Sequence, residues 1–197
     1  MEERQVTVDG KTHLLPIPFF VMATQNPIEL EGTFPLPEAQ LDRFLLKTRL
    51  GYPDRQEEIQ ILERFQQADP LQELLPVATP EDVSRLQQDR RNIIVSGPVR
   101  EYVTDIVRAT RNHTAIQFGA SPRGSLGLMR AGQALAALRD REYILPDDIK
   151  SLACPVLAHR LILKEEDRLR GEDPEHILES IIHGIPVPAA TGSTNGS

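Results

Sequence analysis

Three times from residue 79 onward a helix-capping side chain stands directly before a proline: Thr79-Pro80, Ser121-Pro122 and Asp173-Pro174. A hydroxyl or carboxylate at the cap accepts an orphan backbone N–H of the first turn, and proline at the first helical position already has the required φ. Each pair therefore fixes a helix start. Apolar residues then recur at helical spacing. Val99, Val103, Ile106 and Val107 share one face, as do Leu128, Ala131, Leu135 and Leu138. Ile149, Leu152, Ala153, Val156 and Leu157 form a third stripe, and Ile177, Leu178, Ile181 and Ile182 a fourth. Four such faces bury one another as a small helical domain.

The first 75 residues read differently. Arg4–Val8 and Lys11–Leu15 alternate around Asp9-Gly10, a pair that tolerates positive φ, and so predict a β-hairpin. Phe19–Ala23 is a short continuous apolar run, as expected of a strand buried on both faces of a parallel sheet, and Phe44–Leu50 is a second plausible strand of buried type. Asp54 with Glu57 forms a capping-box start for a helix carrying Ile59, Leu62 and Phe65. A Pro-containing linker, Pro70 to Pro80, separates the two regions. The expected organisation is a partial α/β region over 1–75, an all-α domain over 76–188 and a disordered tail over 189–197. Two buried strands and a hairpin leave sheet edges unpaired. This points to a truncated chain or to a second chain that completes the sheet.

Several function classes drop out. The chain carries 29 acidic and 22 basic residues, a net charge of −7, which argues against nucleic acid as the main ligand. No apolar run approaches the length of a membrane span, and the first residues lack a secretory h-region. A single cysteine, Cys154, excludes an internal disulfide and fits a reducing cytoplasm. The five histidines and Cys154 show no ligand-like spacing, so no metal site is expected. Gly10-Lys11-Thr12 is not a phosphate-binding loop, because the glycine needed five residues earlier is Gln5 and no helix follows. No apolar strand ending in Asp-Glu, which would hold magnesium and activate water, is present either.

Three residues remain as candidates for chemistry. Asn26 follows a predicted buried strand, where a carboxamide can orient water or touch a terminal phosphate without adding charge; a turn asparagine before Pro27 is the plainer reading. Arg43 abuts the second predicted strand and could stabilise charge on a transferred phosphoryl group, or simply pair with Asp42 or Glu38. Arg123 lies in the first turn after Ser121-Pro122, where a cation opposes the helix dipole. Residues that break a local rule are sometimes functional, though an exposed arginine with a nearby acid is the commoner case.

Their order is more informative than any one of them. Ala23-Thr24-Gln25-Asn26-Pro27, then the long run from Glu31-Gly32-Thr33-Phe34-Pro35-Leu36-Pro37-Glu38 to Asp42-Arg43-Phe44, then Gly119-Ala120-Ser121-Pro122-Arg123 resemble three successive signatures of the MoxR family of AAA+ ATPases. Tyr143–Lys150 and Pro155–Leu161 continue the resemblance, which spans Glu2 to Pro188. It implies a partial AAA+ core, made of the pre-sensor-1 hairpin plus two parallel-sheet strands, followed by a helical lid domain. It further implies sensor 1 at Asn26, an arginine finger at Arg43 and sensor 2 at Arg123. Family membership implies ATP and Mg2+ as cofactors, a homo-oligomeric, hexameric ring in the cytoplasm, and chaperone-like remodelling or maturation of client complexes. A protein with a von Willebrand factor A domain is the implied partner. The family's phosphate-binding loop (Walker A) and Asp-Glu strand (Walker B) are absent, so this chain alone is expected to be inactive. Leu145 stands where Thr or Ser would cap a helix better. Two other readings stay open: a non-catalytic protein-interaction module, and a fragment of a magnesium-chelatase-like motor subunit.

Overall fold

The computed structural model describes residues 5–25, 36–67 and 69–188. Asn26, the Glu31–Pro35 part of the long motif and the expected tail at 189–197 lie outside the described residues.

The chain divides into two compact units, one mainly of residues 3–20 and 48–87, the other of 21–47 and 88–197. In the first, β1 (Gln5–Val8) and β2 (Lys11–Leu14) pair antiparallel, Gln5 opposite Leu14 and Val8 opposite Lys11. Asp9 and Gly10 turn the chain with φ of 50° and 76°, as a two-residue hairpin of this twist demands. Gly10-Lys11-Thr12 is thereby committed to a turn and a strand. The same unit holds α2 (Arg55–Gln67) and most of α3 (Pro80–Asp89). Asp54 accepts the N–H groups of Gln56 and Glu57 at 2.8 Å, and Glu57 returns to the Asp54 N–H at 2.9 Å, completing the expected capping box. No described side chain of this unit is fully buried.

The core lies in the second unit. It is built by α4 (Gly97–Asn112), α5 (Pro122–Leu138), α6 (Pro146–Leu157) and α8 (Pro174–Gly184), with short β3 (Ile116–Phe118), β4 (Ile162–Leu163) and α7 (Glu165–Leu169) between them. Ile106, Leu128, Ile149, Val156, Leu157 and Leu178 are fully enclosed, so all four predicted stripes face inward. Leu138 is the exception at 85% exposure, because α5 ends there and its last turn points to solvent. The buried face of α5 is instead rich in small residues, Gly124, Gly127, Ala131, Gly132 and Ala136. A Cβ at Gly132 would come within 3.0 Å of Ile149 and 3.3 Å of Ile144, which is how closely α6 and its leading segment pack on α5.

The caps behave as read. Thr79 accepts the Asp82 N–H, Ser121 that of Arg123 and Asp173 that of Glu175. Leu145 has no polar side chain for the first-turn N–H groups of α6 and makes no side-chain cap; Asp148 supplies only the reciprocal half of a capping box, accepting the Leu145 N–H at 2.9 Å.

The two expected sheet strands form no ladder. Phe19–Ala23 and Phe44–Leu50 contain no strand residue, and Phe20, Met22 and Leu46 are exposed. A strand of this kind exists only between neighbours, and neither run has ladder hydrogen bonds to another described segment. The Phe44–Leu50 run finds other partners: the Phe44 carbonyl accepts from Arg160, and the Lys47 N–H donates to the Pro155 carbonyl at 2.9 Å. The molecule is thus a hairpin-bearing partial α/β core followed by a helix-rich domain that carries the short β3–β4 pair.

Candidate functional site

Arg43 and Arg123 lie 80 positions apart in sequence and are brought to one place through Asp42. The short helix α1 (Glu38–Leu41) ends in a turn in which the Arg43 N–H reaches the Gln40 carbonyl at 3.2 Å and the Phe44 N–H the Leu41 carbonyl at 3.0 Å. Arg43 therefore sits in a fixed turn between Asp42 and Phe44.

Arg123 is placed from the other side by the end of α4. Thr110 is fully buried; its hydroxyl donates to the Val107 carbonyl at 2.7 Å and accepts the Ala120 N–H at 3.0 Å. Arg111 Nε donates to the Ala120 carbonyl at 2.8 Å. Gly119 passes so close that a Cβ there would lie 2.7 Å from the backbone of Thr110 and Arg111. These contacts pin the Gly119–Ser121 loop, and the loop fixes where α5 begins and where Arg123 emerges.

Arg123 Nη1 then meets Asp42 Oδ2 at 2.8 Å, with the two side chains 41% and 28% exposed. The helix dipole that disfavours a cation in the first turn of α5 is offset by this carboxylate. Asp42 has a second cationic neighbour, Arg160, whose Nη1 is 3.7 Å from Asp42 Oδ1. Asp42 thus faces Arg123 and Arg160 rather than the adjacent Arg43. The exposed guanidinium of Arg43 has no hydrogen-bond or ion-pair partner among the described residues, so neither Asp42 nor Glu38 supplies the local pairing that the sequence left open.

Arg160 and His159 were not singled out by the sequence. Both belong to the 3-10 turn that follows α6, Ala158–Arg160. Arg160 is buried, and its fork donates to the carbonyls of Asp42 at 3.1 Å and of Phe44 at 2.8 and 3.1 Å. His159 Nε2 lies 2.8 Å from Arg160 Nη1 and 3.1 Å from the Phe44 oxygen. A guanidinium can only donate, and the Phe44 oxygen already receives two N–H groups. Nε2 therefore accepts from Arg160, and the proton rests on Nδ1. Burial lowers the His159 pKa below its ordinary value, and the adjacent Arg160 charge lowers it further; both keep the ring neutral. Nothing in local sequence reveals these contacts, which join residues more than 110 positions apart.

The described residues do not amount to a site for magnesium-bound ATP. The one Gly-Lys-Thr is in the hairpin, and no group of three or more acidic, histidine or cysteine side chains among the described residues is placed to hold a metal. What the geometry offers is a pair of arginines whose positions are mechanically linked, Arg43 displayed and Arg123 held by a carboxylate. No helix among the described residues is long and apolar enough to cross a membrane.

Comparison with known proteins gives the family of the chain. Residues 1–46 match the model of the ATPase family associated with various cellular activities (AAA), and residues 108–181 match the AAA lid domain. Over 95% of its length the chain is 49% identical to YeaC of Bacillus subtilis, an uncharacterized protein, and 39% identical to chaperone MoxR1 of Mycobacterium tuberculosis. It is 32% identical over 96% of its length to protein MoxR of Paracoccus denitrificans. The chain spans 59%, 52% and 62% of these three relatives. A crystal structure ascribed to an ATPase of Cytophaga hutchinsonii superposes with a TM-score of 0.87 at 35% identity, over 95% of this chain and 59% of that one. The motif order, the helical domain and these likenesses together show that the chain belongs to the MoxR family of AAA+ ATPases.

Proposed function

We propose that this chain forms the sensing and lid portion of a MoxR-type ATPase ring, presenting Arg43 to a nucleotide held by a neighbouring subunit. On this reading 1–75 belongs to the ATPase core and 76–188 is the lid. Arg43 stabilises negative charge on the transferred phosphoryl group, Arg123 relays nucleotide state to the lid, and Asn26 orients water or reads the terminal phosphate. The observation that carries it is the division of labour around Asp42. Arg123 and Arg160 occupy that carboxylate, and the neighbouring Arg43 is displayed with its guanidinium exposed. Since the nucleotide site is not built from the described residues, Mg2+ and the phosphate cradle come from elsewhere in the ring. The name of the mycobacterial relative supports a chaperone role for such a ring; the family resemblance extends it to remodelling of client complexes, with a von Willebrand factor A-domain protein as partner and the cytoplasm as setting.

The test is ATP turnover by the assembled ring that carries this chain. Arg43→Ala lowers kcat by about a thousandfold or more, the scale of an arginine finger, while binding of a labelled ATP analogue is retained. Unchanged turnover refutes the finger assignment. A second reading, a non-catalytic interaction module, is favoured by the commitment of Gly10-Lys11-Thr12 to a hairpin. Tight binding of the labelled analogue by this chain alone would contradict that reading.

A further inference from the structure

We infer that Arg160 is a positioning residue for Arg43, acting by clamping the two backbone carbonyls on either side of it. The inference rests on the finger reading of Arg43 for its consequence in catalysis, and on geometry alone for the clamp.

A guanidinium forks its donors in one plane. Here the fork spans Asp42 and Phe44, residues i−1 and i+1 about Arg43, with Nη1 reaching the Asp42 oxygen and both terminal nitrogens the Phe44 oxygen. The two carbonyls bracket the backbone of Arg43 and Phe44; holding them, together with the turn bonds from the Arg43 and Phe44 N–H groups to the Gln40 and Leu41 carbonyls, restrains that backbone and hence the direction in which the Arg43 side chain leaves the turn. Arg160 itself cannot wander. Its side chain is 2% exposed, and it lies along α5 where two glycines give it room. A Cβ at Gly124 would stand 3.7 Å from Arg160 Cδ, and one at Gly127 would stand 3.6 Å from Arg160 Nη2. Asp42 Oδ1 and neutral His159 Nε2 complete the cage around Nη1.

A structural role alone does not account for this arrangement. A buried guanidinium is costly to desolvate, and apolar side chains of similar volume pack as well or better. Arg160 Nε moreover has no hydrogen-bond partner among the described residues, so the group leaves one buried donor unsatisfied. Packing alone gives no reason for a guanidinium here; holding the backbone around Arg43 gives one.

Two measurements test the inference. Arg160→Met keeps an unbranched stem against Gly124 and removes the fork; Arg160→Lys keeps the charge and loses the bidentate reach, and melting curves establish that each variant folds. Trypsin cleavage of the chain at the Arg43–Phe44 bond accelerates about tenfold or more in Arg160→Met, because proteolysis follows the population of the opened turn, while cleavage after Arg170 is unchanged. Equal rates at Arg43–Phe44 overturn the clamp. In the assembled ring, Arg160→Met lowers kcat for ATP with little change in KM, and adding it to Arg43→Ala costs nothing more. Losses that multiply instead show a general structural role and overturn the positioning role. If Arg43→Ala alone leaves turnover intact, the finger reading fails and the catalytic consequence with it, while the cleavage result still decides the clamp.

Discussion

Replacing Asp148 by asparagine tests how the helical domain secures the start of α6, because one buried carboxylate there serves four donors. Oδ1 receives Arg139 Nη1 at 2.9 Å and Arg141 Nη2 at 2.6 Å; Oδ2 receives Arg141 Nη1 at 2.8 Å and the Leu145 N–H at 2.9 Å. An asparagine has one acceptor oxygen, so two of the four donors would face an NH2 group. Asp148 is 1% exposed, Arg141 20% and Arg139 53%. The Arg139 contact is largely solvent-screened and contributes about 0.5 kcal/mol or less. The bidentate Arg141 pair contributes about 2 kcal/mol and the amide cap about 1 kcal/mol. Asp148→Asn should therefore destabilise the domain by about 3 kcal/mol, at the lower end for one partner lost from a buried pair. Thermal melting followed by circular dichroism should shift down by about 10 °C. The effect also has a pH signature. Burial pushes the Asp148 carboxyl up, but the Arg141 and Leu145 hydrogen bonds and the two arginine charges outweigh it, so its folded pKa lies below the ordinary aspartate value. A depressed carboxyl contributes stability above its unfolded value that is lost as pH falls through the folded one. The gap between the natural protein and Asp148→Asn is therefore full above about pH 5 and narrows below about pH 4. A loss under about 1 kcal/mol, or a gap that widens in acid, would refute this account of the network.

Thr110→Val removes a hydroxyl that takes the buried Ala120 N–H, leaving that donor unsatisfied; chemical denaturation should show a loss of about 1–3 kcal/mol. Gly119→Ala drives a methyl into the Thr110–Arg111 backbone and should cost about 2–3 kcal/mol by the same measurement, with no relief from a rotamer change. Gly127→Leu places bulk where Arg160 Nη2 and Leu45 lie, so it should reproduce the accelerated Arg43–Phe44 cleavage expected of Arg160→Met.

How much of this was legible beforehand follows the range of the forces involved. Helix starts depend on one side chain and the N–H groups two or three residues on, so Thr79, Ser121 and Asp173 announce them locally. The Asp9-Gly10 turn depends on two dihedrals, and the inward faces on a repeat of 3.6 residues. Motif order sufficed to indicate the family. The strands failed on the same principle, because a ladder is a property of two segments, and composition cannot say whether the second is there. Leu145 caps α6 as poorly as its side chain implies, and what the cap residue by itself does not reveal is the reciprocal bond by which Asp148 accepts the Leu145 N–H.

By itself, then, the sequence determined where the chain turns, where its helices begin, which faces go inward and which family it belongs to, all of them decided by neighbours or by periodicity. Tertiary structure alone decided what the candidate residues touch. Only folding brings Asp42 to Arg123 and Arg160, because the packing of α5 and α6, eased by Gly124 and Gly127, sets the position of cations roughly 80 and 120 residues away in sequence. That choice of partners for one carboxylate is what leaves Arg43 displayed.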